Sequence, residues 1–265
     1  MKTRVHALLA ACALLAVLAG GPAAAQQHLK VGVSGGDGEL IWAKVKDIAQ
    51  KKGLDIQVIV FNDYLLPNAA LDGGDLDANA FQHKPFLDNQ VRIRGYKITA
   101  IAGTIVEPIG LYSLKVKSVD ALPAGAQLGI PNDPSNGGRG LLLLQQQGLI
   151  KLRAEAGITP SVRDVTDNPR KLRFRELDAA QLPRSLRDLD AAVINTNYAL
   201  QANLHPGRDS IAIESRSDNP YGNVIAVRTA DKDKPVFKIL IAAYQNDEVR
   251  QFILKQFDGA ILPVF

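Results

Sequence analysis

One stretch near the start of the chain constrains the fold most. His28–Ser34 (HLKVGVS) alternates in the manner of a strand and runs into Gly35-Gly36-Asp37-Gly38. Leu40, Ile41, Val45 and Ile48 then recur on one helical face, Gly53 lies past the helix end, and Leu54–Phe61 (LDIQVIVF) reads as a second strand. Strand, helix and strand in succession predict a parallel α/β beginning. The glycine run is not a phosphate loop. It lacks the GxGxxG spacing and the P-loop lysine, and Asp37 and Glu39 would repel phosphate at the helix start.

The next stretch, Asn62 to Asp88, places Tyr64, Phe81, His83 and Phe86 among turn-forming Asn, Asp, Pro and Gly; a short helix and a turn are expected over 67–80 and another helix from Pro85 to Val91, with loop between. Loops run over the surface and bury large rings poorly. The rings are therefore either plugs of a core beneath the loop or the apolar wall of a small-molecule pocket.

Residues 1–25 carry an export signal. Lys2 and Arg4 precede an apolar run from Ala7 to Gly20, and Ala23-Ala24-Ala25 before Gln26 is a small-residue cleavage site. The run is too short for a membrane span and is followed at once by Gly-Pro. Cys12, the sole cysteine, lies inside it, and Leu9-Ala10-Ala11-Cys12 is similar to the box at which bacteria attach lipid. Cleavage after Ala25 is the expectation, giving a soluble periplasmic protein; a lipoprotein anchored through Cys12 is the alternative. Loss of Lys2 and Arg4 lowers the formal charge from +4 to +2, since no acid precedes residue 26. So weak a balance, spread along the chain, argues against a nucleic-acid partner. About 240 residues remain, enough for one large or two modest domains.

Later in the chain, Tyr96–Val106 reads as one or two strands, and Pro108–Ser113 and Ala126–Ile130 as one each. Pro131-Asn-Asp-Pro-Ser-Asn136-Gly-Gly-Arg139 empties into a helix closed by Gly148. Arg139 falls in or near the first turn of that helix, where a cation opposes the dipole. A bound anion would justify it there; a solvated arginine is the plainer reading. Further strands are expected over 159–165 and 172–177, and a short helix over 179–186. Ala191–Ile194 is a buried-type strand with Asn195 at its carboxyl end, where α/β sheets hold ligands; capping of the following helix is the competing role for Asn195. Asn219–Asn223 turns into the strand 224–227, and 235–257 forms a final amphipathic region.

No HExxH, no GxSxG and no cysteine nucleophile follows the leader. The histidines are scattered, which argues against a metal site. Asp75 and Asp77 could pair with His83 as acid and base, but no nucleophile is aligned with them. The polar groups suit a zwitterion with an apolar tail. Arg139 and a helix start can take a carboxylate, and Asn195 and Asn223 offer carbonyls to an ammonium and amides to a carboxylate. Tyr64, Phe81, His83 and Phe86 can line an apolar slot in which a thioether makes favourable sulfur–ring contacts.

Phe61-Asn-Asp-Tyr64, Asp77-Ala-Asn-Ala-Phe-Gln-His-Lys-Pro85, Pro131–Asn136 with Gly138-Arg139, Gln181–Leu186, Ala192–Thr196 and Pro220-Tyr-Gly-Asn223 resemble the NlpA-type methionine-binding lipoproteins. These are the substrate-binding components of methionine ABC importers, and the resemblance covers nearly all of residues 29–260. It implies an α/β, two-lobed periplasmic-binding-protein fold (type II-like) with methionine clamped in the cleft. It also implies permease and ATPase partners, no cofactor and no catalysis. Tyr64, Phe81, His83 and Phe86 would surround the side chain, Arg139 would take the carboxylate, and Asn195 and Asn223 would hold the amino-acid head. Family members often carry tyrosine where Phe86 stands. Residues 28–110 with 226–265 are expected in one lobe and 111–225 in the other, with crossings near 108–111 and 223–226, in a monomer. The rival readings are an exported enzyme acting on an amino acid or peptide, and a binding protein for another small apolar amino acid.

Overall fold

A computed structural model describes residues 27–265; the expected leader, its cleavage site and Cys12 lie outside the described residues. The order begins β1 (Gln27–Ser34), α1 (Asp37–Lys51), β2 (Leu54–Phe61), α2 (Leu66–Gly73), β3 (Ala78–His83), α3 (Lys84–Arg94) and β4 (Ile98–Val106). It continues β5 (Gly110–Tyr112), β6 (Gln127–Pro131), α4 (Pro134–Gln146), β7 (Lys151–Leu152), β8 (Val165–Asp167), β9 (Arg173–Leu177), α5 (Leu182–Ser185), β10 (Ala191–Ile194), α6 (Thr196–Gln201), α7 (Pro206–Asp209) and β11 (Ser210–Ile213). The chain ends β12 (Gly222–Arg228), α8 (Pro235–Tyr244), α9 (Asp247–Gln256) and β13 (Leu262–Pro263).

Two mixed sheets form two lobes. The first runs β13-β4-β12-β3-β1-β2 and the second β11-β5-β10-β6-β9. As the opening pattern requires, β1 pairs in parallel with β2 and with β3, whereas β12 lies antiparallel between β3 and β4. In the second sheet β6 runs parallel to β9 and β10, and β5 antiparallel to β10 and β11.

Helices cover both faces of each sheet, and for that reason the inner strands are almost continuously apolar. Trp42 and Val45 of α1, Leu240 of α8 and Ile253 of α9 pack on one face of the first sheet, with Leu71 of α2 and Leu87 of α3 against the other. In the second sheet the period of two separates Val193, which packs with Leu141 and Leu144 of α4, from Ala192 and Ile194, which pack with Leu182 of α5.

Several elements differ from the sequence expectation. Within 62–88 the helices expected over 67–80 and from Pro85 appear as α2 and α3, but Ala78–His83, expected as a turn, is instead the inner strand β3, buried along almost its whole length. The 159–165 strand is replaced by a 3₁₀ turn at Val162–Asp164. There Ser161 and Asp164 cap each other reciprocally, and that local bond set outweighs the β-branched residues. The region 235–257 divides into two helices at Asn246, whose side chain accepts from the Val249 N–H and starts α9. The chain returns to the first sheet at Gly222, slightly before the expected crossing, so Asn223, Val224 and Ile225 belong to the first sheet.

Candidate ligand-binding site

Between the sheets lies a pocket that encloses about 350 Å³ of space between protein atoms, part of it open to solvent. Tyr64, Phe81, His83, Phe86, Arg139, Asn195 and Asn223 all line it, and so do Gln82, Glu107, Asn136, Thr196 and Asn197. Phe81 and His83 sit two apart on β3 and so share a face, and Phe86 follows in the first turn of α3. Tyr64 lies 6.1 Å from Phe81 and 6.0 Å from Phe86 between ring centroids, and Phe81 stands edge-on to Phe86 at 6.0 Å. These are tilted and T-shaped distances that favour aromatic pairs.

His83 caps α3: its Nδ1 accepts the Phe86 N–H at 3.1 Å. Its proton therefore resides on Nε2, which donates to Asn136 Oδ1 at 3.1 Å. Burial, with the Arg139 charge second, pushes its pKa down to about 3, so the ring is neutral. Asp75 and Asp77 are not its partners; Asp77 accepts the Lys30 N–H and meets Arg228.

The opposite wall is polar. Asp133 caps α4, accepting the Asn136 N–H at 2.8 Å, and holds the Asn136 amide nitrogen as well. That leaves Asn136 Oδ1 to receive both His83 and, at 2.8 Å, Asn195 Nδ2. Asn195 stands at the N-cap position of α6, but its side chain makes no cap bond there and instead lines the pocket. Arg139 lies in the second turn of α4, not the first. Nor is it free: Nε and Nη2 donate to the two Glu214 oxygens at 2.9 and 2.6 Å, Nη2 reaches the Glu107 carbonyl at 2.7 Å, and Tyr221 stacks on the guanidinium at 4.3 Å. A dipole argument made on the helix alone misses Glu214, which is 75 residues away in the chain.

Gly137 and Gly138 explain how α4 reaches this position. A Cβ on Gly138 would come within 2.8 Å of the Thr159 Cα, and one on Gly137 within 2.6 Å of the Pro131 carbonyl oxygen. The helix start packs backbone against backbone.

Glu107, between β4 and β5, completes the pocket. Asn223 Nδ2 donates to its Oε2 at 2.9 Å, while Oε1 is buried without a partner. Burial raises its pKa to about 7, against the opposing pull of Arg139 and Asn223.

A profile of the NlpA lipoprotein family matches residues 29–265. The D-methionine-binding lipoprotein MetQ of Escherichia coli K12 is 50% identical over 235 residues, 88% of this chain and 86% of its own length. The probable D-methionine-binding lipoprotein MetQ of Vibrio cholerae is 45% identical over 260 residues, 98% of this chain and 96% of its own. The chain belongs to the NlpA lipoprotein family. Among solved structures, a nutrient-binding protein from Burkholderia cenocepacia bound to methionine superposes with a TM-score of 0.88 at 57% identity, covering 89% of this chain and all of that one.

In this NlpA-family chain, four polar groups on pocket-lining residues have hydrogen-bonding capacity to spare. Asn195 Oδ1 and Glu107 Oε1 are unmatched acceptors, and Asn197 Nδ2 is an unmatched donor. Arg139 Nη1 makes no hydrogen bond among the described residues. The amide orientations follow from their neighbours: Asn195 Nδ2 is spent on Asn136, and Asn197 Oδ1 receives the Tyr64 hydroxyl at 2.6 Å. Sequence reasoning missed Glu107, Asn136 and Asn197. Glu107 had a signal: it is the one charged residue between Lys97 and Lys115, set in an apolar run before Pro108. Asn136 and Asn197 stand in tracts already singled out, PNDPSN and NTNY, yet nothing local separates them from capping residues.

Proposed function

We propose that this protein captures methionine at the pocket between its lobes and delivers it to an ABC importer. The observation that carries the reading is the complementarity of the unmatched groups to an amino-acid head. Two acceptors, Asn195 Oδ1 and Glu107 Oε1, suit an ammonium, and two donors, Asn197 Nδ2 and Arg139 Nη1, suit a carboxylate. Buried polar atoms without partners are costly, and a zwitterion placed among them recovers that cost. Tyr64, Phe81, Phe86 and the neutral ring of His83 then surround the side chain, where sulfur makes favourable contacts with ring edges. Asn223 acts through Glu107, whose carboxylate it orients.

Binding without turnover fits the same geometry. The relatives are named as binding proteins. Of the pocket hydroxyls, Tyr64 donates to Asn197 and Thr196 to the Pro108 carbonyl, and the Nδ1 of His83 is occupied by Phe86. Among the described residues, neither hydroxyl donates to a carboxylate or a histidine. We further propose that the protein is exported, that it acts as a monomer, and that the closed lobes dock on a membrane permease whose ATPase drives import. The relatives' naming as lipoproteins favours anchoring through Cys12 over the soluble form that the leader alone suggests.

A thermal-shift screen of the common amino acids, with L- and D-methionine separately, tests the function. Methionine should raise the melting temperature more than leucine, and mass spectrometry should recover it unchanged. Stabilisation by another amino acid with none from methionine would refute the reading, and a new product would indicate an enzyme.

A further inference from the structure

Behind the ligand pocket lies a second, narrow cavity that shares Phe81, Glu107 and Asn223 with it. Its far wall carries Asp37, flanked by Ser34, Thr104 and Tyr244. Asp37 is 5% exposed, and its Oδ1, like Glu107 Oε1, is buried without a hydrogen-bond partner. Two carboxyl groups with unmatched oxygens thus line one polar cavity, and Glu107 lines the ligand pocket as well. The function proposed above uses Glu107 but leaves Asp37 unexplained.

Two neighbouring buried carboxylates cannot both be charged cheaply. Asp37 begins α1, where the helix dipole and the N–H groups of Asp37 and Gly38 favour an anion. Burial outweighs them, and the Glu107 charge adds to burial, so Asp37 is held well above the usual carboxylate range. Glu107 is the member nearer to charge, because Arg139 and Asn223 stand beside it. We propose that ligand capture is proton-linked: the incoming ammonium displaces a proton from Glu107, while Asp37 remains a neutral acid that donates across the cavity to the Glu107 carboxylate, directly or through a water. This rests on the placement of the ligand ammonium at Glu107. The balance is simple: Glu107 gives its proton to solvent, and the ammonium supplies the positive charge in its place.

Several other charged or titratable groups stand near the pair. Arg139 is paired with Glu214. His83 titrates near pH 3, and burial drives the Tyr64 and Tyr244 hydroxyls far above their usual range. The linkage has a definite sign. Free Glu107 titrates near pH 7 and bound Glu107 lower, so affinity should fall as pH drops below 7 and level off above it.

Calorimetry in two buffers of contrasting ionisation enthalpy measures the protons exchanged. With L-methionine the wild-type protein should release close to one proton at about pH 6 and almost none at about pH 8.5. Its Kd should rise by up to about tenfold per pH unit in the acid range. Glu107→Gln should bind more weakly and release none. Asp37→Asn supplies a weaker donor than a carboxylic acid, so the midpoint of proton release should stay or move up. A fall in that midpoint would mean that Asp37 carries charge beside Glu107, and would overturn the assignment. Methionine bound at pH 6 with no proton released would overturn the linkage while leaving methionine capture intact. No methionine binding at either pH would instead remove the function on which the linkage rests, and the linkage with it.

Discussion

The two walls of the pocket are built on opposite plans. The aromatic wall is local: Phe81, His83 and Phe86 lie on one strand and the following helix turn, with Tyr64 close before them. Its rings hold one another by contact, and each contributes burial roughly independently of the rest. The polar wall is assembled from far apart in the chain. Arg139 depends on Glu214, Asn195 on Asn136, and Glu107 on Asn223, which is 116 residues away. Loss of a ring costs area. Loss of a polar member costs that member and also leaves its partner buried and unmatched.

The sharpest way to break the comparison is Arg139→Ala. It leaves the Glu214 carboxylate, 13% exposed at its side chain, without its counter-ion and, among the described residues, with only Asn219 and the Ile109 N–H as donors, and should destabilise the fold by about 3–5 kcal/mol. Methionine affinity should fall roughly 30-fold or more, at about 1.4 kcal/mol per decade. Arg139→Lys keeps the charge but cannot grip both Glu214 oxygens, so it should fall in between. Denaturant unfolding with calorimetry decides; stability within about 0.5 kcal/mol of wild type would show the pair to be dispensable.

On the other wall, Phe81→Ala should cost about 3 kcal/mol of stability, and methionine affinity with it. Leucine substituted at the same place should recover most of both, because the wall needs bulk more than a particular partner. If leucine is as damaging as alanine, the aromatic wall is as specific as the polar one and the contrast fails.

Gly138→Ala tests whether the polar wall depends on where its backbone lies. Its Cβ would meet the backbone at Thr159, so α4 must shift, at about 1–3 kcal/mol. Affinity should drop although no ligand contact is removed, and a crystal structure of the variant should show Asn136 and Arg139 displaced together.

Tyr64→Phe joins the two walls, since the Tyr64 hydroxyl donates to Asn197 across the cleft. Removing it should cost about 1 kcal/mol, or roughly fivefold in methionine Kd. A larger loss would make closure, rather than contact, the main contribution of Tyr64.

The smallest effect at neutral pH should come from His83→Gln, and its signature is pH dependence. Folded His83 titrates near pH 3 and the unfolded residue near 6.5, so the unfolded state takes up its proton first. Stability is therefore lost as pH falls below about 6.5. Urea unfolding from pH 7 to pH 4 should be flatter in His83→Gln than in wild type. Parallel curves would place the acid sensitivity elsewhere.

The same contrast explains what could be read from the sequence. β1, α1, β2 and β10 declare themselves through periodicity, since each buries a continuous face and the pattern of burial is the pattern of the sequence. The aromatic residues of the site announce themselves because large rings stand out among Asn, Asp and Gly. Arg139 could be marked as unusual on its helix, yet its counter-ion could not be found, for Glu214 sits in an exposed-looking Ile-Glu-Ser-Arg run with nothing to link it to residue 139.

By itself the sequence determined the α/β character of the chain, its family and the residue types gathered at the site, because burial period and motif are written locally. The tertiary structure alone decided which polar groups remain unmatched. Whether Asn195 caps a helix or faces a ligand, whether Arg139 has a free nitrogen, and whether Glu107 meets Asp37 across a cavity each depend on what another strand or helix brings alongside. Hydrogen bonds and desolvation act over a few ångströms in space, and sequence separation carries almost no information about which groups come that close.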